Sequence, residues 1–306
     1  MRVIFYEPGL ATKPWIVALR SLLPNALVEL WVPGAAPADY AVLWAPPQQL
    51  IDEQTGLKAI FNVGAGVDRL LAMRLPHHVK LVRLEDAGMA VQMAEYVCHA
   101  LIRHFREFEA YEEQAKDELW NQREAPRRAN FPVGIMGLGV LGQRVAQAVR
   151  QFEFPLVGWS RTPQAIDGIR CFAGPEQLPD FLAATRVLVC MLPLTPDTRN
   201  IVCADSLSRL QAGAYVINVA RGGLLVEEDL LVLVDSGHLA GATLDVFQSE
   251  PLRPGHSIWQ HPKIRVTPHI SAQTLRDASI AQIAGKILAL ERGETIAGIV
   301  DLERGY

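Results

Sequence analysis

The sequence predicts an α/β protein of two domains, each built on a parallel sheet, and three observations predict it. The chain has 306 residues, which fits two domains better than one. Between Phe131 and Thr162 a strand, a glycine turn, a helix and a second strand follow one another. Short apolar runs then recur along the chain with helical spacing between several of them, the alternation expected of a parallel sheet.

In chain order, Arg2 to Tyr6 reads as a strand, Pro14 to Leu23 as a helix and Ala26 to Trp31 as a second strand. Ala41 to Trp44 is a third strand, and Pro46-Pro47 forces an extended loop after it. Leu57 to Phe61 is a fourth, followed by Asn62-Val63-Gly64-Ala65-Gly66-Val67-Asp68, and Lys80 to Arg83 a fifth. The Gly64-Ala65-Gly66 turn stands at the carboxyl end of its strand, where open α/β sheets collect ligands, and successive N–H groups there can form an anion nest. It reads either as a substrate-carboxylate cradle or as a plain tight turn. Trp44 either walls that site or packs beside the proline loop. No glycine or proline interrupts Ala90 to Arg123, and Val97, Leu101, Phe105 and Phe108 keep helical spacing. One long helix is predicted there, bridging the two domains and contributing to a dimer contact.

Phe131 to Met136 suits a buried parallel strand. It runs into Gly137, Gly139 and Gly142, in the order G-x-G-x-x-G, and Val140 to Phe152 continues as a helix. Gly137 permits the tight turn, Gly139 lets a pyrophosphate approach the backbone, and Gly142 lets helix and sheet lie close. The helix N-terminus, with Val140 and Leu141, offers free N–H groups to the phosphates. After the next strand, Leu156 to Trp159, an Asp or Glu would bind the ribose hydroxyl of NAD. This chain has Ser160, Arg161 and Thr162 instead. Arg161 can pair with a 2′-phosphate and the hydroxyls can donate to it, so NADP(H) is preferred, with NAD(H) left open. The plain alternative is that Arg161 is a solvated loop charge.

Beyond Thr162, a helix at Glu176 to Ala184 precedes a buried strand at Arg186 to Leu192. Ala214 to Val219 is a strand and Glu227 to Ser236 a helix closed by Gly237. Ala242 to Leu244 and Ile264 to Thr267 are the last strands. Ser271 can cap a final helix ending near Arg292, with Gly293 in the left-handed position after it. The tail from Ile296 to Tyr306 must dock on a domain already built.

A net charge of −4 predicts no nucleic-acid or anionic-membrane partner. No apolar run is long enough to span a bilayer, and the start of the chain does not read as a signal peptide. Four scattered cysteines, Cys98, Cys171, Cys190 and Cys203, suit reduced thiols of a cytoplasmic protein. No His/Cys spacing matches a metal site, so none is expected.

Arg221, Glu250 and His269 each lie just past a strand of the second domain. Alone, each has an ordinary explanation: a solvated loop charge, a turn residue before proline, a packed loop histidine. If the strands are parallel, all three reach the edge where the nucleotide lies. A proton donor, a carboxylate to orient it and a fixed cation are what carbonyl reduction needs. His256 and His261 compete for the acid role but lack a strand-end placement.

The GLGVLG unit, LPLTPDTRNIV (Leu192–Val202), VINVARGGLLVEEDL (Val216–Leu230), LDVFQSEPL (Leu244–Leu252) and TPHIS (Thr267–Ser271) together resemble the D-2-hydroxyacid dehydrogenases. NVGAGVD, WSRT and VDLERGY resemble their glyoxylate/hydroxypyruvate reductase branch. The resemblance implies a Rossmann-type doubly wound domain over 96–278. It also implies a smaller flavodoxin-like substrate domain over 1–95 and 279–306, completed by the tail, and a homodimer. It assigns Arg221 to the substrate carboxylate and carbonyl, His269 to acid/base work and Glu250 as its partner. Asp245 matches the nicotinamide carboxamide contact, and Leu192, Pro193, Thr195, Val219 and Ala220 match residues lining the cofactor. Ala65, Gly66 and Val67 match the backbone holding the carboxylate, with Trp44 as a wall. The implied reaction is NAD(P)H-dependent reduction of glyoxylate or hydroxypyruvate bound between the domains. A nucleotide-sensing corepressor-like protein and a reductase of another carbonyl or imine are the alternatives.

Overall fold

The structure, a computed structural model, describes residues 1–9 and 11–306. The chain forms two compact units, 1–89 with 274–306, and 90–273. These breaks lie at 89/90 and 273/274, against the expected 95/96 and 278/279.

The first unit holds β1 (Arg2–Tyr6), α1 (Thr12–Leu22), β2 (Leu27–Leu30), β3 (Tyr40–Leu43), α2 (Gln48–Glu53), β4 (Ala59–Asn62), α3 (Asp68–Leu71) and β5 (Lys80–Val82). Its sheet is all parallel in the order β2-β1-β3-β4-β5, the flavodoxin-like arrangement. Strands β3 and β4 are buried along their whole length, which is why they read as apolar runs rather than alternations.

The second unit is introduced by α4 (Met89–Phe105) and α5 (Phe108–Lys116). They replace the single helix expected over 90–123. Glu107 between them is left-handed, with φ 52°. Its carboxylate accepts from Arg123 Nε at 2.6 Å. No residue of α5 is buried, so no core holds it in line with α4, whose Val97, Leu101 and Phe105 are buried. Then come β6 (Val133–Met136), α6 (Val140–Arg150), β7 (Leu156–Ser160), β8 (Arg170–Ala173), α7 (Leu178–Ala183), β9 (Val187–Cys190), α8 (Ala204–Ser208), β10 (Ala214–Asn218), α9 (Glu227–Asp235), β11 (Leu239–Leu244) and β12 (Ile264–Val266). The sheet is parallel, in the order β12-β11-β10-β9-β6-β7-β8. Strand β8 was not anticipated: it is an edge strand in which only Phe172 is buried, so it has no apolar run.

Alternate strand residues feed two apolar layers. Val187, Val189 and Ile217 pack with Val97, Val145 and Val149 of α4 and α6. Leu188, Cys190 and Val216 pack with Phe181, Leu207 and Leu230 of α7, α8 and α9. Helices on both faces of a parallel sheet make the doubly wound fold.

The chain returns to the first unit with α10 (Arg276–Glu291). Leu275, not Ser271, occupies its N-cap, and Gly293 has φ +76° just beyond its end. Tyr40 donates to Glu291 at 2.7 Å, fastening the helix to β3. The tail completes the unit: Val300 N–H donates to Leu81 and Arg83 N–H to Gly298, beside β5. No helix among the described residues is long and apolar enough to cross a membrane.

Candidate active site

In the second unit the strand order changes direction at β6. The chain proceeds outward to β7 and β8, then returns to β9 on the other side. Ligands of open α/β sheets sit at such a switch point, at the carboxyl ends of the strands. The glycine turn leaves β6 there. Gly137 has φ +116°, and a Cβ on it would lie 2.8 Å from the Met191 carbonyl group. A Cβ on Gly142 would lie 1.9 Å from Gly137 O, so helix and turn touch backbone to backbone. A Cβ on Gly139 would meet nothing within 4 Å. That open side, facing the first turn of α6, is the approach a pyrophosphate requires. Val140 is 56% exposed at the same end of the helix, with Leu141 half-buried beside it.

Ser160 closes β7 and is 9% exposed. Its hydroxyl donates to Thr162 O at 2.8 Å, so it shapes the loop instead of presenting its proton outward. Arg161 and Thr162, which follow it, are exposed. Across the switch point, Leu192 and Thr195 are nearly buried after β9. Thr198 organises this loop by donating to Pro193 O at 2.7 Å and accepting from Thr195 N–H at 2.8 Å. Sequence reasoning passed over Thr198; its signal was the T-x-x-T spacing, an ordinary loop-closing pattern.

Strands β10, β11 and β12 are neighbours and parallel, so Arg221, Asp245 with Glu250, and His269 all follow carboxyl ends on the same edge. Asn218, fully buried, accepts from Ala220 N–H and donates to Arg221 O, fixing the turn after Val219. Arg221 Nη1 donates to Ala220 O at 2.7 Å. His269 Nδ1 lies 2.8 Å from Glu250 Oε2. A carboxylate can only accept, so Nδ1 carries the proton and Nε2 is left for chemistry. Glu250 Oε1 also accepts from Phe247 N–H at 3.0 Å. Burial pushes the Glu250 carboxyl up. The hydrogen bonds from His269 and Phe247, with the charges of His269 and Arg221, outweigh that and hold it below its ordinary range.

His269 itself is left-handed, with φ 55°. That costly conformation is over-determined by Asp245. The backbone carbonyl of Asp245 accepts from His269 N–H at 2.9 Å. Its fully buried carboxylate accepts from Thr267 Oγ1 at 2.5 Å and from the N–H groups of Ile270 and Ser271 at 2.8 Å each. The structure thus gives Asp245 protein partners on both carboxylate oxygens. Thr267 in turn meets Tyr96 of α4 at 2.5 Å, and burial pushes that phenol up to about 12. The rival histidines have structural partners: His256 stands 3.4 Å from Glu227, and His261 3.1 Å from Asp235. Among the described residues, no group of three or more His, Cys, Asp or Glu is placed to hold a metal.

In the first unit, the loop after β4 is pinned by Asn62, which sequence reasoning also passed over. Its buried side-chain amide donates to Gly64 O at 2.9 Å and Gly66 O at 2.8 Å. A Cβ on Gly64 would lie 2.7 Å from the Trp44 ring, so the absent side chain lets that ring lie against the loop. The Arg69 guanidinium lies over the Trp44 ring, 5.8 Å from its centre. Ala65 and Gly66 are half-buried and Val67 is buried.

Residues 98–271 match the family described as D-isomer specific 2-hydroxyacid dehydrogenase, NAD binding domain. Over their full lengths, the chain is 44% identical to a glyoxylate/hydroxypyruvate reductase A of Yersinia enterocolitica and 45% identical to one of Serratia proteamaculans. Among solved structures, a D-isomer specific 2-hydroxyacid dehydrogenase from Xanthobacter autotrophicus, in complex with NADPH and MES, superposes with a TM-score of 0.95 at 38% identity, covering 100% of this chain and 99% of that one. An NADPH-dependent glyoxylate/hydroxypyruvate reductase from Sinorhizobium meliloti, in complex with NADP and sulfate, gives 0.93 at 36% identity with the same coverage.

Proposed function

The chain belongs to the D-isomer specific 2-hydroxyacid dehydrogenase family, and from that premise we propose that it reduces small 2-oxo acids, glyoxylate and hydroxypyruvate among them, with NADPH. The observation that carries this reading is the His269–Glu250 couple, 2.8 Å apart, on the strand edge that also bears Arg221 and the glycine turn. The residues fit the cofactor: Gly139 leaves room for a pyrophosphate, and Arg161 with Thr162 suits a 2′-phosphate. NAD(H) is the weaker alternative cofactor.

Bound NADPH supplies the hydride. Reduction adds that hydride to C2 and a proton to the carbonyl oxygen, giving the 2-hydroxy acid and NADP⁺. His269 acts as the imidazolium, protonated on both ring nitrogens: it donates the Nε2 proton and becomes neutral, while Glu250 holds the ring through Nδ1–H. Arg221 offers a planar fork to the substrate carboxylate and stabilises charge developing on the carbonyl oxygen. From the first unit, we assign the backbone of Ala65, Gly66 and Val67 to the substrate carboxylate and Trp44 to an apolar wall. Leu192, Pro193, Thr195, Val219 and Ala220 are assigned to the cofactor. We further assign the working form as a homodimer, supported by Trp120, which is fully exposed, and by Leu119 at 58%. The four cysteines are free thiols, which fits the cytoplasm.

The test is a panel of glyoxylate, hydroxypyruvate, pyruvate and a phenyl-substituted 2-oxo acid, each with NADPH and NADH, followed by cofactor absorbance. Turnover of the small 2-oxo acids with NADPH favoured is expected. NADPH binding without turnover of any 2-oxo acid would contradict the proposal and point to a nucleotide-sensing protein.

A further inference from the structure

We propose that Glu227 is a positioning residue that sets the place of Glu250 through the Gln248 peptide, an inference that rests on the acid role given to His269. Glu227 opens α9 and is only 6% exposed, far more buried than a carboxylate at a helix start needs to be. Its Oε1 accepts from Gln248 N–H at 2.8 Å. Its Oε2 lies 3.4 Å from His256 Nε2, while His256 Nδ1 accepts from Ile258 N–H, so Nε2 is the nitrogen free to donate to Glu227.

The Gln248 peptide is where the two catalytic loops meet. A Cβ on Gly222 would lie 1.8 Å from the Phe247 carbonyl carbon and 2.4 Å from Gln248 N. Only glycine lets the turn beginning at Arg221 press so closely on the loop that carries Glu250. The Gln248 side chain reaches back to Leu225 O at 2.7 Å, closing the same junction from the other side. One residue earlier, Phe247 N–H donates to Glu250 Oε1. The adjacent amides of Phe247 and Gln248 are therefore held by two carboxylates, Glu250 and Glu227, and the buried one anchors the loop that orients the other. Because Glu227 sits past the Arg221 turn in the chain, it also ties that turn to the Glu250 loop. Misplacing an orienting group by about an ångström can cost roughly a hundredfold in rate.

The experiment measures kcat and KM for glyoxylate and NADPH in Glu227→Ala, Glu227→Gln and Glu227→Asp, with His269→Gln alongside. Glu227→Ala is expected to lower kcat by about tenfold to a hundredfold with the NADPH KM kept. Glu227→Gln, whose amide oxygen can still accept from Gln248 N–H, is expected to recover most of that loss. Glu227→Asp, one methylene short, is expected to behave like the alanine variant and carries the test if the alanine variant does not fold. Wild-type kcat in Glu227→Ala or Glu227→Asp, or a Gln variant as impaired as Ala, overturns the inference. If His269→Gln keeps turnover, it is the acid reading that fails; if His269→Gln is inactive while Glu227→Ala is normal, only the role of Glu227 falls.

Discussion

At the scale of single residues, the site divides into groups that face outward and groups spent on holding them. His269 and Arg161 are of the first kind; Asp245, Asn218, Thr198 and Ser160 are of the second. Sequence pattern flags the first kind only in combination, because a histidine or arginine just past a strand end has, alone, an ordinary explanation as a loop residue. It does not reveal the partners of the second kind, because a carboxylate such as Asp245 looks the same in sequence whether or not three protein donors 22 to 26 residues away converge on it. The same limit hid Glu227, whose partner Gln248 lies 21 residues on. Arg161 gives the clearest residue-level prediction. If Arg161 pairs with the 2′-phosphate as proposed, its replacement with alanine should lower kcat/KM for NADPH about tenfold or more while that for NADH changes little. Equal losses with both cofactors would return Arg161 to the status of a loop charge.

At the scale of elements, the glycine turn was legible because each glycine answers a separate backbone demand, and the structure separates those demands sharply. Gly142 has backbone against it, whereas Gly139 has open space. Gly142→Ala should therefore destabilise the protein, by about 1–3 kcal/mol for an overpacked contact, and lower the melting temperature. Gly139→Ala should fold with near-normal melting temperature yet bind NADPH more weakly, as read by quenching of protein fluorescence or by calorimetry. A Gly139 variant with unchanged affinity would argue that the open side is not where the phosphates lie. The elements that sequence pattern missed share one cause, which is little burial. Strand β8 buries only Phe172, and α5 buries nothing, so neither had a periodic apolar face to announce it or, for α5, to keep it collinear with α4.

At the scale of the whole molecule, two parallel sheets of different strand order each gather the loops that follow their strands at one edge, and stability should reflect the charges kept there. The Glu250 carboxyl is held below its ordinary value in the folded chain, so it binds fewer protons than in the unfolded chain over that window. Its stabilising contribution is complete above the ordinary carboxylate range and is lost as pH falls through the lowered folded value. Wild type should therefore melt above Glu250→Gln at neutral pH, with the gap closing in acid; a gap that widens in acid would reverse the sign. The outward Leu119 and Trp120 bear on assembly. Light scattering at micromolar concentration should give twice the chain mass, with Trp120→Asp shifting the population toward the monomer. A monomeric wild type would leave that apolar segment without the role assigned to it.

Whether His269 delivers the proton while Glu250 holds its ring is read out by single-turnover reduction of glyoxylate by His269→Gln pre-loaded with NADPH. Losing a positioned general acid costs about 10² to 10⁴ in rate, so a fall in that range is expected with NADPH affinity kept. Near-normal reduction by the glutamine variant would contradict it.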